Sequence, residues 1–212
     1  MASDRAPTPT RRGRPRDGTP LRPVAETLAA MTLVSGAFWL AGLLAAPLAA
    51  LLFVLSPPAL ARPWTLVTSV YAHAGFGHLL SNAVVVVVAG VPVAAATTRV
   101  RFHAFVLSTG ALAGLAQVWL GGLFAPAGVG VVGISGAAFA LVGYVVAANP
   151  AADALGRLAD RLGASTRAVT VAVAVVALLV AVAFSGPGSA LIAHFVGLAC
   201  GLAAGRVRLL RV

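Results

Sequence analysis

The sequence predicts an all-α membrane protein, a bundle of six transmembrane helices with both termini on the cytoplasmic side. Three observations carry this. The 212-residue chain is 60% hydrophobic and 9% charged, with a mean hydropathy of +0.99, more apolar than a water-soluble core requires. Its apolar runs are long enough for several crossings, each of which needs about 20 residues to traverse roughly 30 Å of hydrocarbon. Its basic residues are all arginines, and they fall between the runs in a pattern that sets an orientation.

The first apolar run lies within Ala25 to Leu55, tilted or ending before Pro57-Pro58; the second covers about His78 to Thr98 and the third about Phe102 to Leu120. The fourth covers about Ile134 to Ala148, the fifth about Ala168 to Phe184 and the sixth about Ser189 to Gly205. The valines at 84–88 and along 169–176 favour strand in water. In hydrocarbon every backbone group must bond within its own segment, so these runs are expected as helices.

Arg5, Arg11, Arg12, Arg14, Arg16 and Arg22 precede the first helix, and Arg99 and Arg101 join the second to the third. Arg157, Arg161 and Arg167 join the fourth to the fifth, and Arg206, Arg208 and Arg211 close the chain. With six spans all of these share one face, and only Arg62 falls on the other, which makes the shared face cytoplasmic. The expected organisation is a disordered basic tail at 1–24, a six-helix transmembrane domain at 25–207 and a short cytoplasmic tail at 208–212.

The net charge of +10 follows from this topology and needs no nucleic-acid partner. Arg11-Arg12-Gly13-Arg14-Pro15-Arg16 resembles the short hooks that enter a DNA minor groove. A proline-rich basic tail that orients the first helix and touches anionic lipid is the favoured reading. The apolar stretch after the tail is too long for the h-region of a cleaved signal peptide. Cys200 is the sole cysteine, so no intrachain disulfide is available.

All five acids, Asp4, Asp17, Glu26, Asp153 and Asp160, fall in the tail, at the start of the first helix or in a cytoplasmic loop. That excludes paired-carboxylate hydrolysis, a carboxylate proton pathway and a carboxylate third member of a catalytic triad. On the outer half remain Ser135, His194, His73, His78 and Asn82. Ser135 opens the fourth span, His194 lies about 7 to 8 Å down the sixth, and His78 and Asn82 sit four apart on the second. A serine hydroxyl becomes a nucleophile when a neighbouring base takes its proton, and a histidine can do so and then protonate the leaving amine. Asn82, His78 and the Ser135 backbone N–H at a helix N-terminus are candidate donors to an oxyanion. Gly197, Gly201 and Gly205 form one small-residue face, and Gly136, Ala140 and Gly143 another, suited to close helix packing in lipid. Phe139, one turn after Ser135, is placed to stack on the imidazole and orient it.

The run His73-Ala74-Gly75-Phe76-Gly77-His78-Leu79-Leu80-Ser81-Asn82, the segment Gly133-Ile134-Ser135-Gly136 with Phe139 and Gly143-Tyr144, and Ala193-His194 with Gly197 and Gly201 together resemble the rhomboid family of intramembrane serine proteases. The likeness covers about residues 60 to 205. It implies Ser135 as nucleophile, His194 as general base, and His78 and Asn82 as oxyanion stabilisers. It also implies single-span membrane-protein substrates cut near a small residue, entering from the side past the fifth helix; no cofactor and no metal are expected. Arg62-Pro63-Trp64 only partly echoes the tryptophan-arginine pair common in the family's first outer loop. Gly121 to Gly128 is read either as a mobile cap or as an ordinary connection. The rival readings are a catalytically inactive rhomboid-like protein that holds transmembrane clients and a metal transporter using His73, His78 and His194; the transporter lacks the intramembrane acids such coupling commonly uses.

Overall fold

A computed structural model describes residues 21–57, 61–124, 130–186 and 188–211. The greater part of the predicted basic tail, with its Arg11 to Arg16 segment, lies outside them, as do residues 125–129 of the glycine-rich connection. The described residues form nine helices: α1 (Arg22–Leu44), α2 (Ala46–Phe53), α3 (Thr65–Tyr71), α4 (Phe76–Ala95), α5 (Arg99–Phe124), α6 (Ser135–Ala147), α7 (Pro150–Arg161), α8 (Thr166–Ala183) and α9 (Leu191–Arg206).

The fold is all-helical as expected, and the valine runs lie in α4 and α8. Among the described residues, strand-like pairing is confined to one bridge between Leu55 and Val131. Four helices, α1, α4, α5 and α8, are long and apolar enough to cross a bilayer; α6 and α7 make a fifth candidate only if the pair, bent by 62°, counts as one span. The six expected spans are therefore not all present at full length. At 1.5 Å per residue α6 reaches only about 20 Å and α9 about 24 Å, short of a hydrocarbon core of about 30 Å.

The first predicted span is two helices. Pro47 lacks the amide N–H that a continuous helix would use, and its ring would press on the carbonyl one turn back. The chain opens instead at Ala45, where φ is −163°, and restarts as α2 with the proline in its first turn. The segment between the first and second predicted spans contains α3. After α6 the chain turns at Asn149, whose side chain accepts from Ala151 N–H and caps α7. That helix is amphipathic, exposing Leu155 and Leu158, and Leu162 just after it is exposed too.

The main core joins Met31, Val70, Val86, Phe102, Val106, Ile134 and Leu141 from α1, α3, α4, α5 and the start and middle of α6. Leu33, Leu43, Val88, Leu123 and Val176 are exposed on the outward faces of the long apolar helices, where lipid is the solvent.

The arginine-bearing ends gather at one end of the bundle. Glu26 accepts from Arg22 Nε at 3.0 Å and Arg99 Nε at 2.8 Å and meets His103 Nε2 at 2.9 Å. Asp153 pairs with Arg208 and Arg206. The segment after α9 is held down, with Leu210 buried and its N–H bonded to the Tyr144 hydroxyl at 3.1 Å.

Candidate active site

The site is assembled where α6 and α9 meet. Their packing follows from residue size. A Cβ on Gly197 would collide with the carbonyl of Gly136, one on Gly201 with that of Ala140, and one on Gly205 with that of Tyr144. From the other side, a Cβ on Gly143 would meet the Leu198 carbonyl. Repeated at intervals of four, these contacts set the two backbones against each other along most of their length.

Both helix starts are pinned. Before α6, Leu55 and Val131 exchange N–H···O bonds of 3.1 and 2.9 Å, and Gly133 N–H donates to the Ser69 carbonyl at 2.8 Å. Gly133 has φ +123°, a conformation that favours glycine. At the start of α9, Gln117 Oε1 accepts from Ile192 and Ala193 N–H at 3.0 and 3.2 Å, satisfying donors that a helix N-terminus leaves unpaired.

With both starts held, Ser135 Oγ lies 3.0 Å from His194 Nε2. Phe139 stacks on the His194 ring, with centroids 4.5 Å apart and planes 16° from parallel. Ser135, His194, Phe139, His78 and Asn82 line one cavity of about 610 Å³, with Val180 and Phe184 of the α8 segment on another wall. Ser135, His194, Phe139, His78 and Asn82 are therefore brought to one cavity, while His73 does not line it.

Asn82 is buried, and its Nδ2 donates to the His78 carbonyl at 3.0 Å, within its own helix. The His78 ring packs over Gly133, where an added Cβ would lie 2.7 Å from His78 Cε1. His73, to which the sequence assigned no role, stands edge-on to His78 with ring centroids 5.1 Å apart. It is fully buried, with Nδ1 3.0 Å from both the Ser35 hydroxyl and the Tyr71 carbonyl, and its own carbonyl accepts from Trp39 Nε1 at 2.8 Å. A carbonyl can only accept, so Nδ1 carries the proton. Burial first, and His78 second, push the His73 pKa down to about 4, keeping the ring neutral at pH 7.

A family model, the rhomboid domain, matches residues 60–211. The chain belongs to the rhomboid family. The matched segment of this rhomboid protein begins after α1 and α2 and contains every residue of the cavity. Comparison with curated proteins gives no match.

Two contacts of this rhomboid site were missed from sequence. Ser185 Oγ lies 2.6 Å from His194 Nδ1, and Gln117 reaches α9 from α5. Neither residue stands in a motif or at a helical interval from its partner, so only the fold joins them. The remaining acids within the described residues, Glu26, Asp153 and Asp160, lie at the arginine-rich end, as the chain order implies.

Proposed function

We propose that the chain is an intramembrane serine endopeptidase that hydrolyses peptide bonds in or near transmembrane segments, with Ser135 as nucleophile and His194 as general base. The observation that carries this reading is the 3.0 Å contact between Ser135 Oγ and His194 Nε2 inside a cavity. Membership of a family of intramembrane serine proteases supports it.

In this mechanism His194 Nε2 takes the hydroxyl proton as Ser135 Oγ attacks the scissile carbonyl carbon. The carbonyl π electrons move onto oxygen, and the oxyanion meets donors preset for it: unpaired N–H groups at the start of α6, the Asn82 amide and His78. The intermediate collapses, the C–N bond breaks and the leaving amine takes the proton from His194. Water, deprotonated by the same nitrogen, then attacks the acyl carbon; the bond from that carbon to Ser135 Oγ breaks, the carboxyl product leaves and His194 returns the proton to Oγ. Phe139 holds the ring plane throughout.

In the orientation we propose, the chain has six crossings, with the arginine-rich end and both termini in the cytoplasm and the cavity open to the extracytoplasmic side of the cell membrane. Helices α6 and α9 are short because they begin below the outer surface, beneath the water that the cavity admits. Substrates are transmembrane proteins reached through the bilayer.

The inactive-relative reading has one observation on its side: Asn82 Nδ2 already donates to a carbonyl of its own helix. Both readings are tested by purified wild-type and Ser135→Ala protein in proteoliposomes with a tagged single-span substrate and a fluorophosphonate probe. A protease cleaves the substrate and is labelled at Ser135, and both signals vanish in the variant. Undiminished cleavage by Ser135→Ala would reject the assignment, and absence of label and cleavage in the wild type would favour the inactive relative.

A further inference from the structure

We infer that Ser185 is a positioning residue for His194, a neutral hydroxyl that takes the place a carboxylate holds in a serine-protease triad; this rests on the proposed protease reading for its catalytic consequence. The imidazole is held at three points. Nε2 faces Ser135 Oγ at 3.0 Å, Nδ1 faces Ser185 Oγ at 2.6 Å, and the ring face lies on Phe139.

The chemistry of the ring assigns the roles. A neutral imidazole has one N–H and one lone-pair nitrogen, and whichever nitrogen donates leaves the other to accept. To take a proton from Ser135, Nε2 must carry the lone pair. Nδ1 must then carry the hydrogen, and the hydroxyl 2.6 Å away is the acceptor for it. Without Ser185 the ring keeps the Phe139 stack, which fixes its plane but cannot distinguish one tautomer from the other. When Nε2 is protonated during turnover, the same hydroxyl accepts from Nδ1–H of the imidazolium.

The local chain fixes that hydroxyl. Ser185 follows the end of α8, and its N–H donates to the Val182 carbonyl at 3.1 Å, prolonging the last turn of the helix. Ser189 N–H donates to the Gly186 carbonyl at 3.0 Å, and Gly188, at φ +80°, reverses the chain into α9. Ser185 therefore points back at a residue nine positions later. A hydroxyl also suits the setting physically. It supplies the acceptor without adding a charged group beside the imidazole.

The experiment uses the full chain in detergent micelles and proteoliposomes, as wild type, Ser185→Ala and Ser185→Thr, with ¹⁵N-labelled histidine and the His194→Gln variant to assign signals. The wild type should show His194 with its proton on Nδ1. Ser185→Ala should shift the ring toward a tautomer mixture and lower kcat about ten-fold, the effect of losing one neutral hydrogen bond in the transition state, with KM unchanged. Ser185→Thr, which keeps the hydroxyl, should retain the tautomer and stay within about two-fold of wild-type kcat. An unchanged His194 spectrum and unchanged kcat in Ser185→Ala would overturn the proposal, as would a Thr variant that loses activity as Ala does while its tautomer stays put. The ¹⁵N measurement needs no turnover. A chain found inactive in every form would therefore defeat the protease reading while the positioning role is still decided by spectrum.

Discussion

Gly197 of α9 rests on the backbone carbonyl of Gly136 of α6, the residue after Ser135, with no room between them for a methyl group. The separation of the two helices, and with it the reach of His194 to Ser135, is thus set by a hydrogen atom where other residues have a side chain. Gly197→Ala meets backbone on the opposing helix, which has no rotamer by which to move aside, so α9 must shift. The expected outcome is a destabilisation of about 1–3 kcal/mol from overpacking, read as a lower melting temperature in detergent, together with loss of substrate cleavage. Gly36→Ala, whose added Cβ meets nothing within 4 Å, is the control and should melt at or above the wild-type temperature. Equal melting temperatures and activities for the Gly197 variant and the control would show that α6 and α9 are not packed this way.

Gly133 couples the segment before Ser135 to the His78 ring. An alanine there faces two obstacles: a backbone at φ +123° and a Cβ 2.7 Å from His78 Cε1. Strain of this kind costs about 1–3 kcal/mol, and the ring, being the movable partner, is expected to rotate away. If His78 helps to stabilise the oxyanion, Gly133→Ala should lower kcat by about 10²-fold or more, as loss of one such donor does, while the protein remains folded. Combining it with His78→Ala tests the route: the double variant should be no slower than His78→Ala alone, because both changes remove the same ring from its place. Additive losses would assign the effect of Gly133 to the backbone alone.

Gln117 secures the start of α9 from α5. Its Oε1 accepts two backbone N–H groups, those of Ile192 and Ala193, one of them adjacent to His194. Gln117→Leu keeps the bulk and removes the acceptor, so the expected cost is about 1–2 kcal/mol, comparable with losing a helix N-cap. Hydrogen exchange of the first turn of α9 should rise more than that of α5 or α6. Unaltered protection at Ile192 and Ala193 would mean that these donors are satisfied by another group.

The parts of the fold legible in the sequence are those where solvent dictates structure. A run of valines reads as strand in water and as helix in lipid, and the apolar length around it decides which solvent applies; α4 and α8 follow that rule. The grouping of arginines at one end of the bundle was also legible, because charges are excluded from hydrocarbon whatever the packing. Ser135, Phe139 and His194 could be related in advance because a one-turn interval and two facing small-residue stripes leave little freedom. The break at Ala45 has its signal in Pro47, which a single run within Ala25 to Leu55, tilted or ending before Pro57-Pro58, passes over. The shortness of α6 and α9 was already present in the expected bounds, about Ile134 to Ala148 and Ser189 to Gly205, but an apolar sequence is the same whether it meets lipid or a cavity, so both were counted as full crossings.

By itself, then, the sequence determined a membrane-embedded helical protein with a serine and a histidine on small-faced segments, because composition and periodicity act locally and the bilayer forbids most alternatives. Only the tertiary structure decided what surrounds that pair: Ser185 on the far nitrogen of His194, Gln117 on the helix start, and His73 beside His78. These contacts join residues from separate segments through side chains at no repeating interval. The pairing exists only once backbone packing at Gly136, Gly197 and Gly201 has fixed where each helix stands.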